Sequence, residues 1–93
     1  MINWNLARWS EDKNRRLKAE RGLSFEAVLA AVEAGQMLDN LSHPDPQRSH
    51  QCMLVVAIEG YACCVPYVGQ GDEVFMKTIY RSRLFQVKYM RNK

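Results

Sequence analysis

Apolar residues recur at helical spacing most clearly just after residue 24. Phe25, Val28, Leu29 and Val32 stand three, four and seven positions apart, one stripe of a helix that Ser24 caps and Gly35 ends. The preceding stretch, KNRRLKAER, is helical by its ends rather than by its stripe. Ser10 is an N-cap, Glu11 and Asp12 place negative charge at the favoured end of the helix dipole, and Gly22 is a natural stop. Lys13 and Ala27 occupy the positions where a full capping box would carry Glu or Gln, so neither helix has one. Leu17 and Ala19 are the apolar content of the first helix, so most of its surface must face solvent, a partner or a ligand.

Beyond Gly35 the pattern turns to strands. Leu38 to Leu41 predicts a short strand interrupted by Asp39 and Asn40, and SHPDPQRSHQ (42–51), polar with two prolines, predicts an exposed loop. Cys52–Ile58 and Tyr61–Tyr67 read as strands joined by the two-residue turn Glu59-Gly60. Pro66 cannot donate a ladder bond, so the second strand ends, bulges or lies at an edge there. After a loop at VGQGD, EVFMKTIYRSR (73–83) reads as one strand running into a cluster of cations. In a regular strand Lys77, Ile79 and Arg81 share one face, and Thr78 and Tyr80 take the other. Leu84 to Arg91 reads as a short basic helix with Leu84, Val87 and Lys88 on one side, and Ile2 to Trp9 as a further strand. The expected architecture is α+β: two N-terminal helices packed on a small antiparallel sheet, with a short C-terminal helix.

With 93 residues and no internal repeat, this is one domain, 1–93. A chain of this size buries about 60–65% of its unfolded surface, which leaves room for help from a partner. The hydrophobic share of 47% argues for a packed core and against disorder. No uncharged stretch approaches the ~20 residues that span a bilayer, and MINWNLARW lacks a secretory pattern, so a cytoplasmic protein with no membrane association is expected. Cys52, Cys63 and Cys64 are odd in number and show no Cys-x-x-Cys spacing, and neither His43 nor His50 stands at ligand spacing from them. They read as small buried apolar residues, with no structural metal and no cofactor expected.

Charge sharpens the picture at the C-terminal end. Residues 73–93 carry six cations (Lys77, Arg81, Arg83, Lys88, Arg91 and Lys93) against the single carboxylate Glu73. Such a segment can attract a polyanion or an acidic protein, and can equally be a solvated surface. There is no dinucleotide fingerprint, Walker loop or nucleophile elbow, and no helix-turn-helix pattern. The chemistry that remains is charge stabilisation and proton transfer. Lys77, Arg81 and Arg83 could steady a phosphorane, arginine by a planar fork that reaches two phosphate oxygens. Tyr80 or His43 could carry a proton, and His50 flanks the same proline loop as His43.

WSEDKNRRLKAERGLSFEAV (9–28) resembles the opening of BrnT-type toxins: an aromatic residue, a polar turn, Lys13-Asn14, a basic helix, Gly22 and Ser24-Phe25-Glu26. KTIYRSR resembles that family's closing strand, with Arg83 in the position of its arginine. Residues 1–8 extend the usual start, and the segment around His43 is longer and richer in proline. The resemblance implies a RelE-like fold and a toxin of a type II toxin–antitoxin pair. It also implies ribonuclease activity that stalls translation, and a DNA-binding antitoxin as partner. The expectation is thus a metal-independent endoribonuclease with Arg83, Arg81, Lys77, Tyr80 and His43 as site residues and RNA as substrate. The alternative is a non-catalytic RNA- or protein-binding module of the same fold.

Overall fold

The caps read from the sequence form as expected in the computed structural model, which describes residues 3–90. Helix α1 (Glu11–Arg21) starts where the Ser10 hydroxyl accepts the Lys13 N–H, and ends where Gly22 turns left-handed at φ 66°. Gly22 lets the Leu23 N–H reach back to the Leu17 carbonyl, closing the last turn. Helix α2 (Phe25–Glu33) starts in the same way, the Ser24 hydroxyl accepting the Ala27 N–H.

Asn14, inside α1, ties the two helices together. It is 1% exposed; its Oδ1 accepts the N–H of Phe25 at 2.9 Å and its Nδ2 donates to Glu26 at 2.8 Å. It supplies one of the free N–H groups at the start of α2 with a partner from another helix. Leu17 beside it is also buried, so the thin apolar stripe of α1 works because a buried amide completes it.

The sheet runs β1 (Met37–Ser42), β2 (Gln51–Ile58), β3 (Tyr61–Gln70), β4 (Glu73–Met76) and β5 (Tyr80–Arg81), all antiparallel. The order is β1-β2-β3, and β4 and β5 both pair with the far side of β3. Glu59 and Gly60 both take positive φ, 53° and 78°, the signature of a tight hairpin between β2 and β3. Helix α3 (Arg83–Met90) follows β5, its first turn capped by the Ser82 hydroxyl, which accepts the Phe85 N–H.

Four local expectations change. Strand β3 continues through Pro66 to Gln70, and the turn is Gly71-Asp72 rather than the whole of VGQGD. The N-terminal segment forms a 3-10 turn at Trp4–Leu6, capped by Asn3, and then a single bridge from Arg8 to Phe75, not a strand. The 42–51 segment holds a 3-10 turn at Pro46–Arg48. The stretch 73–83 is two strands, not one. Ile2, Arg91 and Lys93 lie outside the described residues.

The break between β4 and β5 has a definite cause. The Pro66 carbonyl accepts the Lys77 N–H at 2.8 Å, so Pro66 turns its bonding side toward β4, where it has no N–H to return. Tyr67 pairs with Met76 and Cys64 with Tyr80, so two residues of β3 face three of the other chain segment. That extra residue is a bulge, and it reverses the alternation of faces. Val74, Met76 and then Ile79 all enter the core beside Leu17, Leu23, Phe25 and Val28.

Paired residues share a face. Leu54, Val56, Cys63, Val65 and Tyr67 thus form the face covered by α1 and α2. Val55, Ala57, Ala62 and Cys64 lie on the opposite face and are also buried. There α3 packs against β3. Gln86 accepts the Ala62 N–H, and Tyr89 donates to Asp39. No helix among the described residues is long and apolar enough to cross a membrane.

Candidate functional site

Helix α3 covers only part of its face of the sheet. Beyond it the floor is left open: Leu41, Met53, Pro66 and Val68 are each only half-buried. Leu41 pairs with Met53, and Met53 with Pro66, so they form one row across three strands. Over this row lies a cleft of about 410 Å³, rimmed by His43 and Pro44 on one side and Lys77 on the other.

Each rim residue is held by backbone. His43 extends β1, its N–H bonded to the Gln51 carbonyl at 3.0 Å, while Lys77 hangs on the Pro66 carbonyl. The His43 Nδ1 accepts the Asp45 N–H at 3.1 Å. A neutral ring holding that bond carries its proton on Nε2, and so offers a donor rather than a free basic lone pair.

The bulge decides which predicted residues meet. Lys77 follows the inward Met76 and turns to the open face, and Tyr80, paired with Cys64, takes that face too. The regular-strand expectation that they oppose each other fails for this reason. Arg83 opens α3, is exposed and is not among the residues that line the cleft. Arg81 pairs with Cys63 and therefore points to the helix face. There its guanidinium donates to the Arg21 carbonyl at 2.9 Å, while Arg21 donates to the Ile79 carbonyl at 2.7 Å. The two arginines fasten α1 to the sheet edge. His50 lies in a neighbouring hollow described below.

Electrostatics follow these positions. Burial pushes the Tyr80 phenol up, and the adjacent Cys64 adds to the shift, so Tyr80 keeps its proton near neutrality and is available as a hydrogen-bond donor. Burial likewise raises Cys63 and Cys64. The bond from Tyr89 lowers Asp39, so that carboxylate is engaged in holding α3. The cleft lining includes no carboxylate. Its character is cationic and proton-donating over an apolar floor, a combination that suits an oxyanion attached to a planar or apolar group. No cluster of three or more His, Cys, Asp or Glu placed to hold a metal ion occurs among the described residues.

Sequence reasoning assigned Phe75 to the ladder without giving it a face. The run Val74-Phe75-Met76 carries the signal, because three consecutive apolar residues in a strand must send at least one side chain away from the core. The architecture is a small α+β fold with helices on both faces of an antiparallel sheet, and no family model, curated protein or solved structure matches the chain.

Proposed function

We propose that the open sheet face binds RNA and cleaves it without a metal ion, as the toxin half of a type II toxin–antitoxin pair related to the BrnT-type, RelE-like toxins. The observation that carries this reading is that His43 and Lys77 rim one apolar cleft, with Tyr80 on the same face of the sheet outside its lining. In the reaction the ribose 2′-oxygen attacks the neighbouring phosphorus and the bond to the 5′-oxygen breaks. Lys77 and Arg83 offset the charge that builds on the phosphate oxygens. The leaving 5′-oxygen takes a proton from the Tyr80 hydroxyl, or from Nε2 of a His43 imidazolium once its Nδ1 has released the Asp45 N–H; neutral His43 only donates a hydrogen bond there. The 2′-hydroxyl proton passes to water, since no carboxylate lines the cleft. The products are a 2′,3′-cyclic phosphate and a free 5′-hydroxyl.

The lack of a carboxylate base and the engaged Nδ1 of His43 favour a second reading, in which the same face holds RNA without cutting it. One experiment separates them: purified protein incubated with a defined RNA, with and without EDTA, and the product ends analysed. Cyclic phosphate ends formed equally in EDTA support cleavage. Activity lost in EDTA and restored by magnesium refutes the mechanism, and retention of RNA without any cleavage leaves the binding module. In the cleaving enzyme, Arg83→Ala lowers the rate about 10²–10³-fold, with stability changed by only about 0.5 kcal/mol.

The partner in this reading is a DNA-binding antitoxin that covers the cationic segment from Lys77 onward, with Leu84 and Val87, both exposed on α3, as apolar anchors. Co-expression with the product of the adjacent reading frame tests it. Failure to co-purify, or an association rate and affinity unaffected by charge reversal at Lys77 and Arg83, removes that interface.

A further inference from the structure

We propose that the open face carries a second base-binding subsite, formed by Phe75 with Arg8 and His50, so that the protein takes a segment of single-stranded RNA rather than one nucleotide. The inference rests on the RNA reading above and extends it.

Phe75 is 43% exposed, between Val74 at 2% and Met76 at 0%. It pairs with Val68 and so stands on the face that carries Lys77. The aromatic pairs of this protein lie elsewhere: Trp4 with Tyr67, Trp9 with Phe25 and Phe85 with Tyr89. Among the described residues no aromatic ring pairs with Phe75, which leaves its exposed part open to a flat partner. Its neighbour is fixed: Arg8 donates its N–H to Val74 at 2.9 Å and accepts the Met76 N–H at 2.8 Å, which sets Arg8 alongside Phe75.

Arg8, His50, Val68 and Phe75 line a hollow of about 520 Å³. Val68 also lines the His43–Lys77 cleft, so the two hollows adjoin at that residue. Lys77 stands two positions beyond Phe75, about 7 Å at strand rise, within the reach of one nucleotide of an extended chain. Glu73 lines the same hollow with its carboxylate 3.9 Å from Arg8, which offsets part of that charge. Stacking on Phe75, not phosphate pairing at Arg8, must then supply most of the subsite's affinity. A duplex hides its base faces, so stacking selects a single strand. The cations at either end of the track favour a polyanion over an apolar peptide.

The test uses probes that cannot be cleaved: uridine 3′-monophosphate and a 2′-O-methyl hexauridylate. Affinities are measured for the wild type, Phe75→Leu, Phe75→Trp and Lys77→Ala, with folding checked by urea midpoints. Phe75→Leu should weaken the hexamer about tenfold or more and leave the mononucleotide almost unchanged. Phe75→Trp should restore hexamer binding, and its added indole should be quenched by the hexamer, a readout that does not depend on stability. If Phe75→Leu binds the hexamer as the wild type does while Lys77→Ala does not, the subsite falls and the cleft stands. If the wild type binds no hexamer, both fall. Equal affinity for a duplex of the same length, or Phe75-dependent binding of a polyglutamate peptide without binding of RNA, also overturns the proposal.

Discussion

Replacing Asn14 by alanine should cost far more than its place in a charged helix suggests. The side chain is 1% exposed and completes the N–H of Phe25, itself fully buried. Alanine leaves that N–H without a partner, a loss of about 1–3 kcal/mol. The bond to Glu26 adds less than about 1 kcal/mol, because the carboxylate is largely exposed and screened. The expected total is about 2–3 kcal/mol, or roughly 10–20 °C in Tm for a domain of this size. Urea unfolding gives the free energy directly.

A second readout in the same variant comes from Glu26. The bond from Asn14 is the largest of the causes that hold its carboxyl below the ordinary value, the nearby Lys18 helping less. A depressed folded pKa contributes stability above the unfolded value, and this is lost as pH falls through the folded one. Asn14→Ala should therefore raise the Glu26 pKa, followed by NMR, and the gap between wild type and variant should narrow in acid. A variant within 0.5 kcal/mol of the wild type, or an unmoved Glu26, would refute the argument.

Three further outcomes follow from the same geometry. Arg21→Ala and Arg81→Ala should each destabilise by about 1 kcal/mol in urea, and Arg81→Ala should keep its RNA affinity within about twofold, since it points away from the open face. Burial, helped by Cys52, pushes the Tyr67 phenol up to about 12; its contribution is intact below pH 10 and lost as pH rises through 12, and Tyr67→Phe should flatten that alkaline loss when stability is followed by circular dichroism. A thiol reagent at pH 8 should modify Cys52 quickly and Cys63 and Cys64 only on unfolding, since those two are buried with raised pKa; three fast thiols would show that the sheet opens readily.

What the sequence made legible was whatever is decided locally. Ser10, Gly22 and Ser24 act within one turn of backbone, and Glu59-Gly60 within four residues, so the helices and the main hairpin are readable from composition and spacing. The bulge opposite Pro66 is not local. It depends on which residues of β3 face 77–79, a fact written eleven or more positions away, and no pattern inside EVFMKTIYRSR signals it. That one unread residue decides whether Lys77 joins Tyr80 or Arg81, so the grouping of the candidate site was hidden even though its members were named. The N-terminal segment misled for another reason. Asn3 can cap a tight turn as easily as Ile2 to Trp9 can extend, and only the docking of Arg8 on β4 decides between them.

The interruption at 77–79 also governs how the molecule behaves in a crowd. A long straight edge of unpaired N–H and C=O groups is a template on which another chain can add a strand. Here Arg8 caps β4, the rungs lapse opposite Pro66, and β5 offers only two residues before α3 leads the chain away. The opposite edge is broken too, by the register shift between Met37 and Asp39 in β1. Each margin is thus shortened, and the same proline opposite which Lys77 turns toward the open face leaves the β4–β5 margin a poorer template for strand addition than an unbroken strand would be.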